Sequence, residues 1–83
     1  MSTSRESIAR TDDRLVTAIS GWLARRVSDE DLLRELARAA DGELAPTQAE
    51  AVEELRMELE AGRGRAELEM VARETLEAVA LGG

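Results

Sequence analysis

The sequence contains no cysteine and no histidine. Without cysteine there is no disulfide and no thiolate metal site. Without histidine the commonest general acid–base group is missing, and so is the ligand that di-iron carboxylate bundles need. Tyrosine and phenylalanine are absent too, which leaves Trp22 as the single aromatic. Lysine is also missing, so all eleven basic residues are arginine. Usage this rich in arginine and alanine fits a GC-rich bacterial gene. No apolar run approaches the ~20 residues of a membrane span. The opening MSTSRESIARTDDR lacks the apolar centre of a signal peptide. A cytoplasmic chain with no membrane contact is therefore expected.

These absences also bear on chemistry. Ser20 and Ser28 have no histidine or lysine to activate them. Glu54 and Glu58 share a helical face, but carboxylate pairs act across a cleft, and short helices rarely enclose one. Asp29-Glu30-Asp31 lacks the glycine and spaced ligands of an EF-hand loop. The sequence thus predicts no enzyme, no cofactor, no metal and no small-molecule substrate.

What is present is helix-forming. Alanine, leucine, glutamate and arginine dominate, with one proline and no β-branched run. At 83 residues the chain is one domain at most. The first helix is expected from about Thr11, or a turn or two earlier, to about Arg26. Its stripe is Leu15, Ile19, Trp22 and Leu23, with Val16 at the edge. Residues 1–10 read either as a flexible or frayed N-terminus or as an extension of this helix. Ser28-Asp29-Glu30-Asp31 resembles a capping box, with Val27 and Leu32 placed as a hydrophobic staple. That predicts a second helix to about Ala40, with Leu32, Leu33, Leu36 and Ala40 inward, stopped by Asp41-Gly42.

Thr47-Gln48-Ala49-Glu50, just after Pro46, reads as another capping box. The third helix then runs to about Ala61 on the stripe Ala49, Val52, Leu55 and Leu59. Gly62-Arg63-Gly64-Arg65 interrupts the pattern, and two glycines cost about 2 kcal/mol inside a helix. A turn is expected there, followed by a fourth helix from Arg65 to Ala80. Its stripe is Leu68, Val71, Ala72, Thr75 and Val79, with Leu76 beside it. The fold class is all-α: a small bundle of four short helices over 11–81, or three if the last two run on as one. Low aromatic content limits the area such a core buries, so completion by dimerisation is expected.

The ending Leu81-Gly82-Gly83 is how ubiquitin-type modifiers end. Nothing else reads as their β-rich fold, and the terminal Glu or Gln of the bacterial ubiquitin-like modifier is missing. The two glycines read as a tail capping a helix.

The net charge of −7 is uneven. Residues 1–27 carry five arginines against three acids, and residues 28–83 carry six against fifteen. An acidic surface repels phosphate backbones, which disfavours nucleic acid as a partner. Seven Glu–Arg pairs at i,i+4 are expected to line solvent faces: Glu6–Arg10, Glu30–Arg34, Arg56–Glu60, Arg63–Glu67, Arg65–Glu69, Glu69–Arg73 and Arg73–Glu77.

Met57 and Met70 fall off the apolar stripes of their helices, and a hairpin of those helices would bring them toward one surface patch. Methionine suits adaptable protein contacts. Trp22 belongs to the core by spacing, or else anchors an interface. The sequence therefore predicts a non-catalytic protein–protein interaction module, an acidic adaptor or regulatory subunit that self-associates and docks another protein. Met57, Met70 and Trp22 are its candidate contacts. The alternatives are a small helical DNA-associated or antitoxin-like regulator, with 28–61 as a helix-turn-helix, and an acidic inhibitor of a nucleic-acid enzyme.

Overall fold

The structure is a computed structural model. It describes the backbone of residues 3–42 and 44–81 and the side chains of 11–42 and 44–81. The expected Gly82-Gly83 tail and the side chains of residues 1–10 lie outside the described residues. Among the described residues four helices follow one another: α1 (Thr3–Leu23), α2 (Asp29–Ala40), α3 (Pro46–Glu60) and α4 (Arg65–Leu81). Each packs against its neighbours in sequence, and α4 closes the ring against α1. Among the described residues the backbones of the diagonal pairs stay apart, and those helices meet only through side chains.

The stops and starts follow from local hydrogen bonding. α1 ends at Leu23, three residues before the expected Arg26. Arg25 turns into the left-handed region at φ 63°. Its N–H bonds to the Trp22 carbonyl at 3.0 Å, and the Arg26 N–H bonds to the Gly21 carbonyl at 2.7 Å. That is the Schellman arrangement, which satisfies carbonyls orphaned at the helix end. α3 ends the same way, with Gly62 at φ 71°. The Gly62 N–H reaches Leu59 O at 3.2 Å, and the Arg63 N–H reaches Glu58 O at 3.4 Å. The turn expected at Gly62–Arg65 is therefore present, and helices three and four are separate.

Ser28 caps α2, its Oγ accepting the Asp31 N–H at 3.1 Å. The reciprocal half of the expected box is not made. The Asp31 carboxylate instead takes Arg34 at 3.3 Å. α3 starts earlier than Thr47 suggests. Pro46 is its first residue, Ala45 is its N-cap, and the Gln48 side chain accepts the Ala45 N–H at 3.0 Å. Proline suits that first position because its missing N–H would have no partner there.

The core is one narrow stripe per helix. Leu15, Ala18, Ile19 and Trp22 of α1 meet Leu32, Leu36 and Ala39 of α2, Val52, Leu55 and Leu59 of α3, and Leu68, Ala72 and Val79 of α4. Val16, Leu23, Val27, Leu33, Leu44, Val71 and Leu76 pack partly buried against it. Two inward positions differ from the sequence reading. On α2 the third inward residue is Ala39, and Ala40 is exposed. On α3 Gln48 is fully buried, and Ala49 is exposed. Both corrections follow from phase, since i, i+4, i+7 from Leu32 reaches Ala39, and i, i+4, i+7, i+11 from Gln48 reaches Leu59.

Arg25 is the one described non-glycine residue with positive φ. A Cβ in the left-handed region costs roughly 1 kcal/mol or more, and glycine removes that cost. Arg25→Gly is expected to raise stability by about 1 kcal/mol, read as a higher urea midpoint with unchanged slope. An unchanged or lower midpoint would show that the Arg25 side chain contributes more than its backbone costs.

Candidate functional site

Both ends of the bundle are tied by polar contacts. At one end the buried Gln48 amide donates to Asp12 Oδ1 and to the Val79 carbonyl, each at 3.2 Å. It thereby links α3 to α1 and α4. At the other end Trp22 is fully buried. Its indole N–H donates to Asp29 Oδ1 at 2.6 Å. The Arg65 guanidinium stacks over the ring at 3.8 Å and donates to the Trp22 carbonyl at 2.8 Å. Trp22 thus joins α1, α2 and α4, and in the folded chain it presents no surface to a partner. Met57 and Met70, by contrast, are 58% and 63% exposed.

The arginines are distributed unevenly among the acids. Arg56 pairs with Glu53 and with Glu60, the latter at 3.3 Å. Arg63 takes Glu58 at 3.2 Å instead of the expected Glu67. Arg65 holds Glu69 at 2.9 Å, and Arg73 approaches the same carboxylate at 4.0 Å, leaving Glu77 without it. Hydrogen bonds from Arg56 and Arg65 hold the Glu53 and Glu69 carboxyls below their ordinary range. Glu58, one of the two candidate acid–base carboxylates, is therefore tied to an arginine, and Glu54 stands exposed on the surface.

Of the five hairpin carboxylates without arginine, all but Glu67 share an arrangement. On α3 the buried stripe is Gln48, Val52, Leu55 and Leu59. Two residues further on, about 200° round the helix, lie Glu50, Glu54, Met57 and Ala61, all exposed. On α4 the buried stripe is Leu68, Ala72, Thr75 and Val79. Two residues further on lie Met70, Glu74, Glu77 and Leu81, again all exposed. None of these four glutamates makes an ion pair among the described residues, whereas Glu53, Glu58, Glu60 and Glu69 do.

The hairpin register aligns these stripes. Gln48 lies opposite Val79, and the Thr75 hydroxyl lies 3.2 Å from the Ala51 carbonyl. In an antiparallel pair with that register Met57 is level with Met70, Glu50 with Glu77, and Glu54 with Glu74 to within one residue. At matching heights the two helices therefore carry one methionine rung and, roughly 5 Å and 10 Å further along the axis, two carboxylate rungs. The sequence shows both methionines off their stripes. It does not show the rungs, because their alignment depends on the turn at Gly62 and on Gln48 facing inward.

α1 and α2 present something different. At the corresponding outward positions α1 has Thr17, Ser20 and Gly21, with Ala24 just beyond its end, and α2 has Arg34 and Arg38, with Asp41 as its C-cap. An open groove of about 530 Å³ between them is lined by Arg14, Ala18, Val27, Asp31, Arg34 and Glu35. Four of its five charges are committed to each other, with Arg14 on Glu35 at 3.4 Å and Arg34 on Asp31 at 3.3 Å, and Asp13 makes no ion pair among the described residues.

Comparison with known proteins finds no matching family model, no matching curated protein and no matching solved structure. The functional reading rests on the chain's own geometry.

The depressed Glu53 and Glu69 carboxyls set a pH dependence. A carboxyl whose native pKa lies below its unfolded value stabilises the fold above the unfolded value. That contribution is lost as pH falls through the native one. Stability is therefore expected to be constant near neutrality and to fall below about pH 4.5, the ordinary carboxyl value. The E53Q/E69Q variant should show a smaller drop in urea midpoint between pH 7 and pH 3 than the parent chain. Parallel pH profiles would show that these two pairs do not contribute.

Proposed function

We propose that this chain is a non-catalytic protein–protein interaction module, a small acidic helical adaptor or regulatory subunit that docks another protein through the outward side of the α3–α4 hairpin. The observation that carries the reading is the level pair Met57 and Met70. With Leu81 they are the large hydrophobic side chains left exposed among the described residues. Every other large apolar side chain there is buried or half-buried. Two flexible thioether side chains at one height supply an apolar contact that adapts its shape to a partner.

Self-association is a separate part of the proposal. Two copies meeting through their hairpins would set unpaired glutamates against each other, which opposes that contact. A homodimer therefore uses another face and leaves the hairpin free. Light scattering over a hundredfold concentration range, an order-of-magnitude span chosen to bracket weak association, reads this part directly. A steady mass of twice the 9.0 kDa chain supports it, and a steady single-chain mass ends it without touching the docking reading.

The docking reading is tested by M57D/M70D. Both positions are exposed, so far-ultraviolet circular dichroism and the urea midpoint should stay close to those of the parent. The tagged variant should lose, by about tenfold or more, the protein that the parent chain captures from its cells of origin. Equal capture by variant and parent would remove the hairpin from the docking reading.

A further inference from the structure

Resting on the docking reading, we infer that the hairpin's partner is a basic amphipathic helix of another protein. Its apolar side chain would seat on Met57 and Met70, and its arginines or lysines would follow one and two turns along the same face. Three observations support this. Glu50, Glu54, Glu74 and Glu77 carry no arginine, in a chain whose other hairpin carboxylates mostly do. They occupy the same outward stripes as the methionines. The register stacks them into two rungs beyond the methionine rung, at the spacing of successive helical turns.

Charge decides among occupants. Unneutralised carboxylates in two rungs repel phosphate backbones and anionic membrane surfaces and attract guanidinium or ammonium groups. A second copy is a poor match. Its longest net-basic segment, residues 1–27, has five arginines against three acids, and Arg14 is already committed to Glu35. A helix is favoured over an extended peptide because contacts one and two turns apart on one face match the rungs.

The probe is a synthetic peptide of about fifteen residues, long enough for four helical turns. It carries a leucine and, four and seven residues on, lysines on one face. Its control is the same composition in scrambled order. Both are titrated into the full chain with 13C-labelled methionine methyls. The expected result is saturable movement of the Met57 and Met70 signals by the patterned peptide. Binding should weaken about tenfold or more in E50Q/E54Q/E74Q/E77Q and with added salt. It should be retained in E30Q/D41N, which removes exposed acids from α2 and its end. Unmoved methionine signals, equal binding of the scrambled peptide, or equal loss in E30Q/D41N would each overturn the inference.

The two readings fail separately. If M57D/M70D loses its cellular partner while the patterned peptide does not bind, the docking face stands and the basic-helix assignment falls. If the variant keeps its partner, the docking face falls.

Discussion

Trp22 touches three of the four helices, and the closed end of the bundle depends on it. It is the largest side chain in the sequence, it sits on α1, and it is fully buried. Burying an indole brings a cost unless its N–H finds an acceptor. Asp29, the first residue of α2, supplies that acceptor and so fixes where α2 begins relative to α1. The Gly21 position next to it matters for the same reason. A Cβ there would come within 2.7 Å of Val27 Cγ2, so a bare backbone lets Val27 of the α1–α2 turn pack against the core. Arg65, the first residue of α4, covers the ring from the other side and donates to the Trp22 carbonyl. One aromatic thus sets the relative heights of three helices in a core otherwise made of aliphatic side chains, which slide past one another more readily.

Gln48 plays the corresponding part at the opposite end. Its carbonyl oxygen completes the start of α3, and its amide hydrogens are used by Asp12 and Val79. Among the described residues every buried side-chain polar atom has a partner. A slip of α3 by one residue would break the bonds from Gln48 to Asp12 and to the Val79 carbonyl, and an unsatisfied buried group costs about 1–3 kcal/mol. The aliphatic stripes supply cohesion, and the polar ends supply register. Because α3 and α4 are held in register at this end, the outward residues of the hairpin are held in register as well. The methionine and carboxylate rungs are a consequence of how the inside is locked.

This explains what could be read from the sequence and what could not. The all-α class, the four elements and the phase of α4 were legible, because leucine and valine at helical spacing against charged neighbours leave little choice. The Gly62 turn was legible because two glycines within three residues oppose a helix. Gln48 was not. A polar side chain is assigned outward by default, and Thr47 offered a more familiar cap. Pro46 held the missing signal. Proline at the first helical position makes Ala45 the cap and Gln48 the third residue, which puts Gln48 in phase with Val52, Leu55 and Leu59. The end of α1 carried no such signal, since arginine in a left-handed position is chosen by the tertiary fold of the turn over Trp22 and not by local preference. Trp22 was readable as core, but Arg65 above it lies forty-three residues away and no periodicity connects them.

The outward positions show where the fold leaves the sequence free. Packing constrains the inward stripe of each helix, and the flanking positions abut neighbouring helices. It is on these flanks that the arginines of the hairpin are spent. Arg56 holds Glu53 and Glu60, Arg63 holds Glu58, and Arg65 reaches across to α1 while holding Glu69. Positions opposite the core are the least constrained by packing, and on the hairpin, where they make no ion pair among the described residues, any soluble side chain would serve the fold equally well. α1 fills them with small neutral residues and α2 with a mixture of signs, whereas α3 and α4 place glutamates and methionines at matching heights. Stacked like charges that no arginine offsets give the fold nothing and add mutual repulsion along each helix face. Exposed methionines likewise contribute little to the core. A requirement for folding or solubility alone would be met by interspersed signs, as on α2. The segregated pattern on the hairpin is the observation on which the proposed docking face rests.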